Sequence, residues 1–394
     1  MLPTMKTALT ALAATLAGNA LAAPQTNPQT NALPPCTNVV IPVTVTANNV
    51  VLPATTPPAF NQVSGTYNIA ARYCEPANNL HPRRDVLQVL VHGITYTRNY
   101  WSGDGDPNIL TGPGAPYGGN LYSWVDFASQ QGYPTLSIDR LGNGLSDHPD
   151  PITVLQIPIH IEVIHQIITK ARAGSLPSPA NRNFDKIIYA GHSFGSVLGN
   201  GLNVKYPTDA DATILTGLSA TLNYAFLVPW VGNGDFLPAA TVNSSKWSTL
   251  NTGYLALTNR TAFNQAFYYP TFFDQALQDL DYANRGTVGL GELESGFALP
   301  EQVATNYKNP VYVITGQHDA TMCPGLDPLA YTKPYQTYDC GPSGTGTLAQ
   351  TKKLYPNANY QWYAPPASGH CWHFHSEALA TFGVAHNWLN WNGF

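Results

Sequence analysis

The 394-residue sequence predicts an α/β fold: a mostly parallel, doubly wound sheet carrying an inserted, mainly helical cap. Three observations lead there. Short apolar runs end abruptly at Gly, His or Asp; helix-compatible stretches separate them; and the alternation lapses over residues 219–309, where aromatic residues crowd. Strand, helix, strand alternation implies right-handed crossovers and a sheet covered on both faces. With 44% hydrophobic residues the chain can bury a large core without help from a metal or a disulfide.

Residues 1–23 have one charge, Lys6, then an Ala/Leu/Thr run, then Ala20-Leu21-Ala22 before Ala23-Pro24. That order is a secretory signal, and the run is too short and too weakly apolar for a membrane anchor, which needs about 20 strongly apolar residues. A secreted, extracellular protein with no integral membrane segment after cleavage is expected. Residues 24–84 read as an N-terminal arm and first strands, Pro/Thr/Asn-rich and weakly structured to about Pro58, with extended pieces such as 39–45.

The core begins at residue 85. Val86–Val91 is a nearly continuous apolar run stopping at His92-Gly93, as a buried parallel strand would. Trp124–Gln130 reads as a helix, 134–138 as a strand ending at Asp139, 152–171 as a long helix and 186–190 as a strand ending at Gly191. A helix over 196–204 and a strand over 212–218 complete the first part of the core, residues 85–218. The cap, 219–309, shows no clear strand; most of its aromatics should form its own core, with a minority, Trp230 among them, facing a substrate. The second part of the core, 310–394, contributes strands at 310–315 and 360–363 and a last helix over 376–391.

Gly191-His192-Ser193-Phe194-Gly195 lies between a buried strand and a helix, the context a G-x-S-x-G elbow requires. A tight turn there holds Ser193 in strained geometry and aims the Phe194 amide at a developing oxyanion. His92-Gly93-Ile94 ends an earlier strand, where the Ile94 N–H can supply a second donor. Gly316-Gln317-His318-Asp319 and Ser368-Gly369-His370 each follow a strand-like run. Ser193 as nucleophile, Asp319 as acid and His370 as base therefore occur in the order Ser, Asp, His, each just after a strand. Tyr96, Tyr100 and Trp101 are candidate walls of the acyl pocket. His192 is expected to pack beneath the nucleophile. His373 and His375, near His370 and Cys371, read as packing rather than as a metal cluster, and neither a metal nor a cofactor is expected.

With these residues in view the chain resembles the α/β-hydrolase superfamily, and within it the secreted fungal-type, esterase- and lipase-like serine hydrolases with a lid. The resemblance covers roughly residue 86 to the C-terminus and implies the α/β-hydrolase fold. Asp139-Arg140-Leu141-Gly142-Asn143-Gly144-Leu145-Ser146 resembles the D-x-x-G-x-G-x-S turn of epoxide hydrolases and haloalkane dehalogenases. Those relatives use Asp where this chain has Ser193, so an acyl-enzyme is implied instead, and the turn is expected to support the oxyanion loop.

A net charge of −5 and no basic footprint exclude nucleic acid as a partner. The expected partner is a small-molecule or lipid-like ester, cleaved as by an esterase, lipase or lactonase. A peptidase or amidase, an acyl-transferring or lactone-forming enzyme, and a non-catalytic binding protein on the same scaffold stay open. Sequons at Asn243 and Asn259 offer N-glycan sites. Five cysteines suggest two bridges, preferably Cys36 with Cys74 and Cys323 with Cys340, leaving Cys371 as the odd thiol; a Cys323–Cys371 pairing is the alternative.

Overall fold

The computed structural model describes residues 34–77, 82–299, 301–324, 339–341 and 346–394. The expected signal segment lies outside them. The chain opens with β1 (Cys36–Val50) and β2 (Phe60–Cys74), two fifteen-residue strands paired antiparallel from Cys36 opposite Cys74 to Val50 opposite Phe60. The expectation of a weakly structured arm is thereby corrected. Val39, Ile41, Val43, Val45 and Ala47 alternate with exposed residues and put one face of β1 into the core. The helix over Ile157–Arg172 packs against that strand.

The core elements follow in order: β3 (Val86–Val91), α1 (Trp124–Gln130), β4 (Thr135–Ile138), α2 (Ile157–Arg172), β5 (Lys186–His192), α3 (Phe194–Lys205) and β6 (Ala212–Thr216). Helix α2 starts five residues later than the sequence suggested, because Pro158 sits in its first turn, where a missing N–H costs nothing. Residues 152–156 instead make a turn in which Asp150 Oδ1 accepts from the amides of Ile152 and Thr153.

Between β6 and the next core strand lie α4 (Tyr224–Gly232), β7 (Phe236–Pro238), α5 (Ala239–Val242), α6 (Ser244–Trp247), β8 (Tyr254–Leu257), α7 (Arg260–Phe267), α8 (Gln275–Asn284), β9 (Val288–Gly289) and α9 (Leu290–Ala298). The insertion is mainly helical, with a small antiparallel sheet in the order β7-β8-β9 that the sequence did not announce. The core resumes with β10 (Val311–Ile314), α10 (Thr347–Gln350), β11 (Tyr360–Tyr363) and α11 (Ala378–Trp391). Among the described residues the main sheet runs β1-β2-β4-β3-β5-β6-β10-β11, antiparallel at β1, β2 and β4 and parallel from β4 onward. The loops after β3, β5, β6, β10 and β11 thus share one sheet edge, where α/β proteins place their ligands.

Cys36–Cys74 closes the base of the first hairpin, and Cys323–Cys340 spans the segment after β10. Cys371 is a buried free thiol whose Sγ lies 3.0 Å from the Phe267 carbonyl oxygen. No helix among the described residues is long and apolar enough to cross a membrane.

Candidate active site

Ser193 sits between the last residue of β5 and the first of α3, with φ +53° and ψ −118°. A residue with a side chain holds this left-handed geometry only when its surroundings impose it. Here the Ser193 amide donates to the Thr216 carbonyl, and Ser193's own carbonyl accepts from Ser196 and Val197. Gly195 packs its Cα against the Val91 carbonyl so closely that a Cβ could not fit. At Gly93 a Cβ would stand 2.9 Å from that of Ser193. Both glycines let the β3 and β5 loops approach each other at the serine.

His370 Nε2 is 2.7 Å from Ser193 Oγ, and His370 Nδ1 is 2.6 Å from Asp319 Oδ2. All three residues are buried, Ser193 retaining 8% exposure. Asp319 Oδ1 accepts from the Thr321 amide at 2.8 Å, the Thr321 hydroxyl at 2.8 Å and the Met322 amide at 3.0 Å. The Thr321 hydroxyl also stands 2.9 Å from His370 Nδ1. Thr321 is a contact that no spacing or motif in the sequence signalled. The chain of hydroxyl, imidazole and carboxylate can carry a proton from Oγ to Nε2 and stabilise the resulting imidazolium.

Ile94 and Phe194 line the cavity at Ser193, and among the described residues neither backbone N–H has a protein acceptor. Phe194 opens α3, so its amide also carries the positive end of the helix. Arg140 braces the loop that holds Ile94. Its Nη2 donates to the Gly93 carbonyl at 3.2 Å, its amide donates to His92 Nε2 at 3.0 Å, and its guanidinium lies over the Phe194 ring at 4.8 Å. The turn from Asp139 to Ser146 is held by its own hydrogen bonds, among them Ser146 Oγ donating to the Asp139 carbonyl at 2.7 Å. Asp139 accepts from the Arg98 amide, Arg98 Nη1 and the Leu145 amide.

Arg140 Nη1 also pairs with Glu292, in α9 of the insertion, and His160 Nε2 lies 3.0 Å from Glu292 Oε1. Burial pushes the Glu292 carboxyl up, but Arg140, His160 and the Gly289 amide outweigh it and hold the group at about 2. Nothing in the sequence marked Glu292 as a partner of Arg140.

The cavity over Ser193 measures about 100 Å³ and is walled mainly by apolar residues of the insertion: Leu227, Trp230 and Val231 of α4, and Leu293 and Phe297 of α9. Trp230 faces it, as expected. Tyr96, Tyr100 and Trp101 do not, and that expectation is corrected. They are buried, and Tyr100 stacks on His192, the residue before Ser193, at 4.4 Å and meets Trp101 edge-on at 5.4 Å. Burial, followed by repulsion from His370 and His373, drives the His192 imidazole well below its ordinary range, so His192 packs as a neutral ring. His318 stacks on Tyr269 at 4.0 Å and does not line the cavity over Ser193. His373 bonds the Tyr100 hydroxyl, while His375 Nε2 accepts from the Gly369 and Tyr269 amides, bracing the loop that carries His370.

A family model described as "Alpha/beta hydrolase family" matches residues 88–382. The chain belongs to the α/β-hydrolase family. Solved structures similar to this α/β hydrolase include an alpha/beta hydrolase fold protein from Chitinophaga pinensis, 14% identical, with 82% of this chain and 94% of that one covered and a TM-score of 0.49. A hydrolase from Pseudomonas aeruginosa is 16% identical over 82% of this chain and 94% of its own, with a TM-score of 0.49. A thermophilic esterase from Thermogutta terrifontis is 11% identical over 89% and 100%, with a TM-score of 0.45. A search of curated proteins found no match.

Proposed function

We propose that this α/β hydrolase is a secreted serine hydrolase that cleaves a carboxylic ester of a fairly apolar acid. The observation that carries the proposal is the continuous hydrogen-bonded chain from Ser193 Oγ through His370 to Asp319, at 2.7 and 2.6 Å. His370 takes the serine proton as Oγ attacks the ester carbonyl, and Asp319 stabilises the imidazolium. The tetrahedral oxyanion accepts from the Ile94 and Phe194 amides, an interaction that strengthens as charge develops. Collapse expels the alcohol, which receives the proton from His370 Nε2 and leaves an acyl group on Ser193. Water then attacks with His370 again as base, releasing the acid. The apolar walls contributed by α4 and α9 favour a hydrocarbon acyl group, and the insertion over 219–309 acts as the cap that keeps bulk water from the intermediate.

Secretion accords with the two disulfides, which form in oxidising compartments. Asn243 and Asn259 both lie at exposed positions and are the N-glycan sites of this reading.

Fluorophosphonate labelling of the full chain, with the modified peptide mapped by mass spectrometry, tests the assignment. A single adduct on Ser193, absent in Ser193→Ala together with hydrolysis of short aryl esters, is expected. Undiminished ester hydrolysis by Ser193→Ala would overturn the proposal.

A further inference from the structure

Helix α9 of the insertion carries two glycines, and only one of them is required by packing. A Cβ on Gly291 would run into the carbonyl oxygens of Ile152 and Leu155, and its amide donates to the Pro151 carbonyl at 2.8 Å. Gly296 meets no such constraint. It lies inside the helix with no left-handed φ. Among the described residues outside its own helix backbone and chain neighbours, a Cβ there would have one heavy atom within 4 Å, Phe194 Cε2 at 4.0 Å, an ordinary contact. Glycine in a helix is less stable than alanine because it loses more backbone freedom on folding. The chain thus keeps a destabilising residue where a methyl group would fit.

What lies beside Gly296 is the cavity over Ser193, which it lines together with Phe194, Val197, Leu293 and Phe297. The space a Cβ would take is therefore a slot in that cavity, between α9 and the ring of the residue that follows Ser193. Both walls are held. Arg140 lies over the Phe194 ring at 4.8 Å, and His160 meets that ring edge-on at 5.9 Å. On the other side the pairing of Glu292 with Arg140 and the close seat of Gly291 fix the start of α9. Because it opens against Phe194, the slot widens the cavity at its Ser193 end instead of lengthening it.

We propose that Gly296 is a specificity-determining residue, and that the slot it leaves takes a branch or ring of the substrate's acyl group close to the carbonyl. Resting on the ester-hydrolase reading above, this assigns a substrate class: esters of branched or cyclic hydrocarbon acids in preference to straight-chain ones. A straight chain leaves the slot empty, and a void against Phe194 forfeits the dispersion contacts that a branch makes there. The side chains around the slot, Phe194, Val197, Leu293 and Phe297, present hydrocarbon, so the branch they suit is apolar.

The test measures hydrolysis of the p-nitrophenyl esters of acetate, hexanoate and cyclohexanecarboxylate by the full chain, by Gly296→Ala and Gly296→Val, and by a control, Gly383→Ala. Gly383 lies in α11, does not line the cavity over Ser193, and has room for a Cβ, which would meet Phe127 Cζ at 3.8 Å. The parent is expected to prefer the cyclohexanecarboxylate to the hexanoate in kcat/KM. Gly296→Ala lowers the cyclohexanecarboxylate-to-acetate ratio by about tenfold and Gly296→Val by about a hundredfold, while the hexanoate-to-acetate ratio moves far less. Gly383→Ala leaves both ratios as in the parent. Thermal melts read the slot without turnover: Gly296→Ala and Gly383→Ala each raise Tm by about 1–3 °C. A Tm lowered by Gly296→Ala, or ratios unmoved by Gly296→Val or moved equally by Gly383→Ala, overturns the slot. A parent that prefers hexanoate, or equal losses on the two larger esters, overturns the branched-acid class. A parent that cleaves none of the three overturns the ester reading and that class with it, a failure the melts tell apart from that of the slot.

Discussion

Thr321 is the residue whose side chain joins the two halves of the candidate proton chain without belonging to it. Its hydroxyl donates to Asp319 Oδ1 and stands beside His370 Nδ1, so it fixes which carboxylate oxygen meets the imidazole. Thr321→Val keeps the shape and the backbone donor while deleting one charge-assisted hydrogen bond, worth about 1.5 kcal/mol. Steady-state kinetics on an aryl ester should show kcat reduced about tenfold with KM little changed in Thr321→Val and near-parent values in Thr321→Ser; a loss in Thr321→Ser with none in Thr321→Val would show that the methyl, not the hydroxyl, matters. Glu292 allows a prediction in pH. Its folded pKa of about 2 lies below the ordinary 4.5, so its contribution is fully present above about pH 4.5 and is lost as pH falls toward 2. Acid unfolding followed by circular dichroism should be less steep in Glu292→Gln over that window, on top of a general loss of stability from the uncompensated Arg140. The candidate residues Ser193, Asp319 and His370 could be picked out at this scale because each sits in a glycine-containing turn after a strand-like run. Thr321 and Glu292 could not, because a hydrogen bond formed across the fold leaves no periodicity in the chain.

Among elements, α8 of the insertion meets the core through an acid. Asp281 is buried and accepts from the Tyr268 hydroxyl at 2.6 Å and the Tyr96 hydroxyl at 3.4 Å, while its Oδ1 has no partner. Burial raises its carboxyl to about 7 despite those two hydroxyls. A carboxyl with a raised folded pKa holds its proton in the folded state where the unfolded chain has lost it. Its effect is therefore a fall in stability as pH rises from about 4 through about 7, levelling above. Asp281→Asn removes that slope, and thermal melts of the two proteins across pH 5 to 8 should diverge, with the variant gaining relative to the parent as pH rises. An unchanged difference across the series would count against a protonated Asp281. The first hairpin shows the limits of reading elements. Val39, Ile41, Val43 and Val45 alternate with period two, yet Pro42 and the Thr/Asn composition masked a strand of fifteen residues. In the insertion, strands of two to four residues are too short for any period to register.

For the whole molecule, the order of core elements was legible because buried parallel strands are continuous apolar runs with sharp ends, and β3 and α1 match their expected bounds to the residue. What the sequence could not show was how the insertion meets the core, since that depends on contacts between segments far apart. Two proposals belong to this scale: intact-mass analysis of the secreted protein should find an N-terminus at residue 23 or 24, and glycosidase treatment should remove mass from peptides containing Asn243 and Asn259. Retention of Met1 in the exported protein, or unmodified sequons, would refute the corresponding proposal. The link between Arg140 and Glu292 carries one more consequence, for anyone wishing to transplant the insertion of another hydrolase onto this core. Arg140 holds the Gly93 carbonyl with one hand and a carboxylate of the insertion with the other. A graft chosen only to fit a new substrate, and lacking an acid at that point, would strand a buried cation beside the loop that carries Ile94. Such a chimera would lose the alignment of Ile94 before its new pocket could be put to use.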